Sequence, residues 1–242
     1  MRKANSVENG EKRQGQIDKR DVLMESAVRM DDVNLVWIWA PGCPQSERNH
    51  ALGTAIKRRN EGVILKLLEY GADPNLHQNE FTDACRAGDH TLVSMILRAP
   101  IQMQAEALMG SLGEAVKSGS LHTLTILLQA TDLGSTKDID AVGEAVRCLR
   151  VDMLLRLLLR ARSLDRQILD GLVNAAFEMS ETDSNKRLQI IDALFYAGAA
   201  GHKSAASFAH AVALGQMDFI RLFAKHHVDI NWARGICFCR GL

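Results

Sequence analysis

Four residues near the C-terminus are of types that hold metals. His226, His227, Cys237 and Cys239 lie within fourteen residues of one another. Imidazole nitrogens and thiolates are zinc ligands, but Cys-x-Cys is not a usual zinc-knuckle spacing. The two histidines also fall at the end of an apolar helical pattern, so no metal site is assigned. The other histidines are scattered. The chain has no Gly-x-Gly-x-x-Gly, phosphate loop, Gly-x-Ser-x-Gly elbow or His-Glu-x-x-His. No catalytic residue is assigned, no cofactor or small-molecule substrate is expected, and the chain reads as a non-enzyme. A second set of residues has regular spacing instead. Arg29, Lys57, Arg86, Lys117 and Arg147 follow one another at 28, 29, 31 and 30 residues, with Arg58 beside Lys57. Cations repeated at one interval suit contact with an acidic or mixed-charge partner.

Each of those cations stands two residues after an alanine. The alanines are Ala27, Ala55, Ala84, Ala115, Ala145, Ala175 and Ala211. Three residues before each comes an apolar side chain: Met24, Leu52, Phe81, Leu112, Val142, Leu172 and Phe208. Apolar pairs follow at eight and nine residues (Val63/Ile64, Leu92/Val93, Met153/Leu154) and at twelve and thirteen (Leu67/Leu68, Ile96/Leu97, Leu127/Leu128). Thr123 is the weak member of the first series. Self-similarity at about thirty residues signals a stacked repeat array.

One unit, Leu52 to Asn75, shows what the elements are. Leu52, Ala55 and Ile56 mark one side of a short helix, and Val63, Ile64, Leu67 and Leu68 one side of a second. Asn60-Glu61-Gly62 forms the polar turn between them. Gly71 suits a left-handed C-cap, and Pro74 cannot continue the helix. Helices this short are marginal alone because nucleation is costly. Their apolar faces must be covered by neighbouring units, each buried Leu or Ile contributing about 1.5–3 kcal/mol.

The run from Ala55 to Asn75, ending Leu67-Leu68-Glu69-Tyr70-Gly71-Ala72-Asp73-Pro74-Asn75, resembles an ankyrin repeat. Gly88, Gly119 and Gly215 match the family's turn glycine, and Gly198-Ala199 and Asp229-Ile230-Asn231 match its tail. The resemblance spans about residues 18–235. It implies an all-α ankyrin-repeat solenoid of about seven helix-turn-helix units, whose concave helical face contacts protein partners. Two departures matter. The family's Thr-Pro-Leu-His opening occurs in no copy, and the units run near 30 residues, so the β-hairpin fingers are expected to be stunted and mostly loop. In the sixth unit the apolar pairs arrive late, at Ile190/Ile191 and Leu194/Phe195, a seven-residue insertion within Phe177 to Gln189. This polar, acidic segment reads as a tolerated surface insertion, with a partner contact or phosphorylation site as the alternative.

Composition sets outer bounds. The formal net charge of the 242 residues is zero, so no bulk field draws the chain to nucleic acid or membrane. The longest apolar runs are too short to cross a bilayer, and no membrane partner is expected. Met1 to Lys19 is polar and lacks the apolar stretch of a secretory signal. The five cysteines form no regular framework, which points to a reducing intracellular compartment, cytoplasmic and/or nuclear. Residues 1–17 read as a polar, disordered tail and 18–235 as the repeat domain. Residues 236–242 read as a C-terminal tail that folds back as a cap, or as a truncated repeat.

The cationic stripe has a plainer reading as well. With the core set at positions −3, 0, +1 and +4 from the alanine, position +2 points into solvent and so does −1. Position −1 holds Asp83, Glu114 and Glu144, which face Arg86, Lys117 and Arg147 at i,i+3, and Glu25 precedes Arg29 by four. Such pairs reduce the local field, so a mixed-charge face is favoured over a strongly basic groove. The partner-binding candidates are Arg29, Lys57, Arg58, Arg86, Lys117 and Arg147. The function this supports is non-catalytic protein binding, as an intracellular adaptor or scaffold. A nuclear transcriptional co-regulator acting through protein contacts is the alternative. Direct nucleic-acid binding is disfavoured by the interleaved acids and the lack of aromatics in the column.

Overall fold

The computed structural model describes residues 22–131, 138–160, 164–179, 183–200 and 204–228. Among them it is all-helical, with fourteen α-helices and no strand. The helices alternate in pairs: α1 (22–29) with α2 (Val33–Trp39), α3 (Gln45–Arg58) with α4 (Glu61–Glu69), α5 (Gln78–Ala87) with α6 (His90–Leu97), α7 (Ala105–Ser118) with α8 (Leu121–Ala130). There follow α9 (Asp138–Arg147) with α10 (Val151–Arg160), α11 (Arg166–Glu178) with α12 (Ser184–Tyr196), and α13 (Ala205–Ala213) with α14 (Met217–Lys225). Two compact units result, Met1–Ser111 and Leu112–Leu242, the division falling within α7. In the first unit α2 packs on α4, α4 on α6 and α3 on α5. In the second, α8, α10, α12 and α14 pack in succession, as do α9, α11 and α13.

The spaced apolar residues are the core. Met24, Leu52, Phe81, Leu112 and Val142 are buried, as are Val63, Ile64, Leu92, Val93, Met153 and Leu154 on the second helices. Thr123 is fully buried too; its hydroxyl lies 2.9 Å from that of Ser120, the N-cap of α8. The recurring alanine is buried, and the turn that follows it is the same in most repeats. In five repeats the alanine carbonyl accepts the N–H five residues on: Asp32 to Ala27 at 3.0 Å, Asn60 to Ala55 at 3.1 Å, and Asp89, Arg150 and Gln216 to Ala84, Ala145 and Ala211 at 2.9 Å. The N–H at +4 donates to the carbonyl at +1, as from Gly88 to Cys85 at 3.1 Å. These paired bonds define a Schellman motif and require a left-handed residue at +4. Position +4 is therefore a turn residue and not part of the core set. Glycine supplies it at Gly88, Gly119 and Gly215, while Asp31, Arg59 and Leu149 adopt it at φ 58°, 59° and 52°.

Second helices end in the same way at Gly71, whose φ is 78°, as its position in the sequence suggests. Its N–H donates to Leu68 and that of the buried Ala72 to Leu67, both at 2.9 Å. The linker beyond is a 3₁₀ turn, Pro74–His77, and residues 98–104 hold no regular element. Neither linker contains a strand; those at 132–137, 161–163 and 201–203 lie outside the described residues. Asparagine side chains tie the linkers of the first unit to their neighbours. Asn49 Oδ1 accepts from the Asp73 N–H at 2.8 Å, and Asn75 Oδ1 accepts from the Gln104 N–H at 2.7 Å.

Repeat six departs from the spacing reading by one residue. Ala175 is exposed, and it is Ala176 that is fully buried, with Val173 and Phe177 in place as positions −3 and +1. Two adjacent alanines left the frame ambiguous, and burial of the phenylalanine decides it. Phe177 meets Phe219 edge-on with centroids 5.3 Å apart and Phe223 at 6.0 Å. In this frame Ile190 falls fourteen residues after the alanine instead of eight, so the insertion has six residues, not seven. Residues 180–182 of it lie outside the described set.

Backbone demands at glycine separate cleanly. Gly215 has φ 66° with open space around its Cα, so Gly215→Ala should cost about 1 kcal/mol by backbone strain alone. Gly171 sits inside α11 with equal space, so Gly171→Ala should add roughly 0.5–1 kcal/mol. Urea melts of the two variants should move in opposite directions.

Candidate protein-interaction surface

All six cations are exposed, and each lies in the last turn of a first helix. Arg29 ends α1, Lys57 and Arg58 fall in the last turn of α3, Arg86 in that of α5, Lys117 in that of α7, and Arg147 ends α9. Their recurrence thus has a local cause. Unsatisfied carbonyls make a helix C-terminus partially negative, and a cation there contributes about 0.3–1 kcal/mol. The residue at +2 in repeat six is Glu178, exposed, and not Phe177. It ends α11 with an extended C-cap at Met179, the one first helix whose Schellman turn is replaced by an insertion.

The carboxylates at −1 meet the cations as their i,i+3 spacing requires. In the first unit Arg86 Nη1 lies 2.8 Å from Asp83, while Arg29, with no acid at −1, has its Nη2 2.6 Å from Glu25 at −2, an i,i+4 pair. Lys57 has no acid at −1 and instead reaches Glu80 in the next repeat at 3.5 Å. Arg58 is used differently: its Nη2 donates to the Arg29 carbonyl at 3.0 Å and so caps α1 from the neighbouring repeat. Asn60 reinforces this, donating to the Val28 carbonyl at 3.0 Å. In the second unit the pairs join into a chain. Lys117 lies 3.0 Å from Glu114 and 3.6 Å from Glu144, and Glu144 is 2.9 Å from Arg147.

These contacts shift the acid–base equilibria. The bonds from Glu114 raise the Lys117 pKa, helped by the charge of Glu144. The Arg147 hydrogen bond holds Glu144 below the ordinary glutamate range, against its partial burial. The cations keep from 46% (Lys117) to 71% (Lys57) of their side-chain surface in water. Such exposed pairs are worth little individually. They make each face a mosaic of alternating charge and not a basic field.

Each unit has a cleft on its helix pairs, and only that of the first unit includes a stripe cation. In the first unit a cavity of about 180 Å³ has a floor of Ile56, Ala84 and Leu92 and a rim of Lys57, Arg59, Glu80 and Asp83. Arg59 also pairs with Asp89 at 2.9 Å, a contact the spacing did not suggest because Arg59 owes its direction to its left-handed backbone. In the second unit a cavity of about 350 Å³ is lined by Gly119, Leu149, Arg150, Asp152, Lys186 and Gln189, among others. It lies on the helix turns, away from position +2. The Arg150 guanidinium covers Gly119, where an added Cβ would come within 2.7 Å of it.

The histidines of the metal candidate have structural roles. His226 stacks on Phe195, with centroids 4.7 Å apart, and its Nε2 lies 2.5 Å from Asp192 Oδ1. Burial opposes ionisation of Asp192, but hydrogen bonds from His226 and Lys225 outweigh it and lower its pKa. His227 adopts φ 54° and ends α14. Cys237 and Cys239 lie outside the described residues. Among the described residues no three His, Cys, Asp or Glu side chains are grouped to hold a metal ion, and no helix is long and apolar enough to cross a membrane.

No protein-family model, curated protein or solved structure matches the chain.

The Glu144 network has a pH signature. A depressed carboxylate pKa stabilises the fold above the unfolded value, about 4.3, and that gain is lost as pH falls through the folded pKa. Glu144→Gln should therefore lower stability at pH 7 by up to about 1 kcal/mol. The gap from wild type should close in melts as pH falls through the depressed Glu144 pKa, because below it both side chains are neutral.

Proposed function

We propose that the chain is an ankyrin-type, non-catalytic protein-binding module, an intracellular adaptor or scaffold of the cytoplasm and/or nucleus. It meets its partner through the exposed cations two residues after the recurring alanine, Arg29, Lys57 and Arg86 on the first unit and Lys117 and Arg147 on the second. The observation behind this reading is that one exposed position, recurring in five repeats, carries the same charge each time. In the family the chain resembles, the matching helix position is the one that contacts partners.

The charge mosaic narrows the partner. Each ion pair named here has an exposed cation and is inexpensive to open. A protein segment with both acidic and basic side chains can exchange pairs with it, its carboxylates taking Arg86 or Arg147 and its cations the freed Asp83 or Glu144. A purely anionic partner would have to displace the resident carboxylates without satisfying them. Specificity then comes from matched spacing along the segment and not from net charge.

The test is affinity purification with mass spectrometry on wild type beside Arg86→Glu/Lys117→Glu/Arg147→Glu. These side chains are exposed, so the variant should fold, as circular dichroism would verify. Proteins enriched by wild type should fall at least tenfold with the triple variant. An unchanged protein list would overturn the assignment of this face.

A further inference from the structure

The insertion of repeat six ends at the start of α12, where one side chain is out of keeping with its surroundings. Arg187 is only 6% exposed. Its Nη1 donates to the carbonyls of Phe177 at 3.1 Å and Met179 at 2.6 Å, and its Nη2 donates to Ser184 Oγ at 3.3 Å. The guanidinium carbon lies 5.0 Å from the centre of the Phe219 ring. Its Nε is buried with no hydrogen-bond partner. Among the described residues it forms no ion pair. A guanidinium cannot lose its proton, so a full positive charge is held here, among the described residues, by two carbonyl dipoles, one hydroxyl and one ring. A buried charge without a counter-ion is costly.

Ser184, the residue this guanidinium touches, is exposed and is the first residue of the thirteen-residue α12. Helix geometry puts residues three apart on one face, which explains the contact with Arg187. The helix N-terminus adds a partial positive charge at the same place. Lys186, 55% exposed and 3.8 Å from Asp183, adds a mobile cation. One group opposes an anion here. Asp183 is the N-cap, and its Oδ1 accepts from the N–H groups of Asn185 at 3.0 Å and Lys186 at 3.4 Å.

We propose that Ser184 is a phosphorylation site and that Arg187 is the receptor for its phosphate. A protein kinase transfers the γ-phosphoryl group of a nucleoside triphosphate. The Ser184 Oγ–phosphorus bond forms, the bond from phosphorus to the bridging oxygen breaks, and the nucleoside diphosphate leaves with that electron pair. The hydroxyl proton passes to the kinase's base. The phosphate then stands one bond from an oxygen already in contact with Arg187 and supplies a counter-charge that no described residue gives the buried guanidinium. Arg187 also holds the Phe177 and Met179 carbonyls, so the modification tightens the junction between the end of α11 and the start of α12. Repeat six is thereby the one repeat whose helix pair is set by a covalent switch in place of a Schellman turn.

The test uses the full chain carrying phosphoserine at position 184, introduced by codon suppression. Its Tm should exceed that of the unmodified chain by about 2–6 °C, as one to three charge-assisted hydrogen bonds would give in a protein of this size. Phosphorus NMR should place the second phosphate pKa below the value of about 6 of an unperturbed phosphoserine. Both shifts should be lost in Arg187→Gln carrying the same phosphoserine. A lowered or unchanged Tm, or a phosphate pKa at or above the free value, overturns the proposal even if Arg187→Gln does not fold. Shifts that survive in a folded Arg187→Gln overturn the role of Arg187. Millimolar inorganic phosphate added to the unmodified chain distinguishes the source: an equal rise in Tm would mean a free-anion site and overturn the covalent one.

Discussion

The fold depends on one turn, the reversal between the first and second helix of each repeat. In five of the seven repeats it is closed by a hydrogen bond to the carbonyl of the recurring alanine and by a left-handed residue four places on. The alanine has two constraints at once. Its side chain is buried where a first helix meets its neighbours, and its carbonyl is the acceptor that ends the helix. With the end of the first helix set, the apolar pair of the second falls eight and nine residues later, and both helices present their faces to the same core. That the +4 position accepts Arg59 and Leu149 as readily as Gly88 shows how strongly the turn is imposed by packing on either side. The left-handed conformation costs such residues about 1–2 kcal/mol, which the burial around the turn exceeds several times over.

The same turn organises the charged surface. Because each first helix must end two or three residues after the alanine, position +2 falls in its last turn, where a cation is favoured by the helix end. Position −1, one turn earlier on the same side, is where a carboxylate can reach that cation. The ion-pair mosaic is therefore in part a by-product of helix termination. Its availability to a partner follows from exposure: the pairs are weak because they are wet, and weak pairs are exchanged at little cost. Arg58 illustrates the difference between a cation on a surface and one in a structural role, since its guanidinium closes the Arg29 carbonyl from the next repeat.

Repeat six shows what happens without the turn. α11 continues to Glu178, Phe177 enters an aromatic cluster with Phe219 and Phe223, and a buried arginine on α12 ties the junction. Aromatic burial and guanidinium–carbonyl bonds take over the role that two backbone hydrogen bonds have elsewhere. Such a junction is easier to modulate, because its charge is only partly compensated.

Much of this was legible in the residues because it is local. Helical period, the −3, 0 and +1 core positions, the left-handed cap at Gly71, the outward direction of −1 and +2 and the pairing of Glu144 with Arg147 all follow from 3.6 residues per turn and the conformational range of glycine. What spacing could not supply is choice among near-equal local options and contact between residues about thirty apart. Ala175 and Ala176 are equivalent by propensity, and only burial of Phe177 selects the second. Lys57 with Glu80, Arg59 with Asp89 and Lys117 with Glu144 are pairs between repeats. Nothing in either local sequence names the other partner; the stacking of one helix on the next does. Arg187 is the clearest case. As a residue in a polar, acidic insertion it reads as solvated, and it is buried because α12 must bring Ile190, Ile191 and Leu194 to the core on the same helix. The sequence determined the repeating unit, since that unit is set by short-range torsions and periodicity. Tertiary packing decided which side chains of neighbouring units meet, since that depends on surfaces that exist only after the units have stacked.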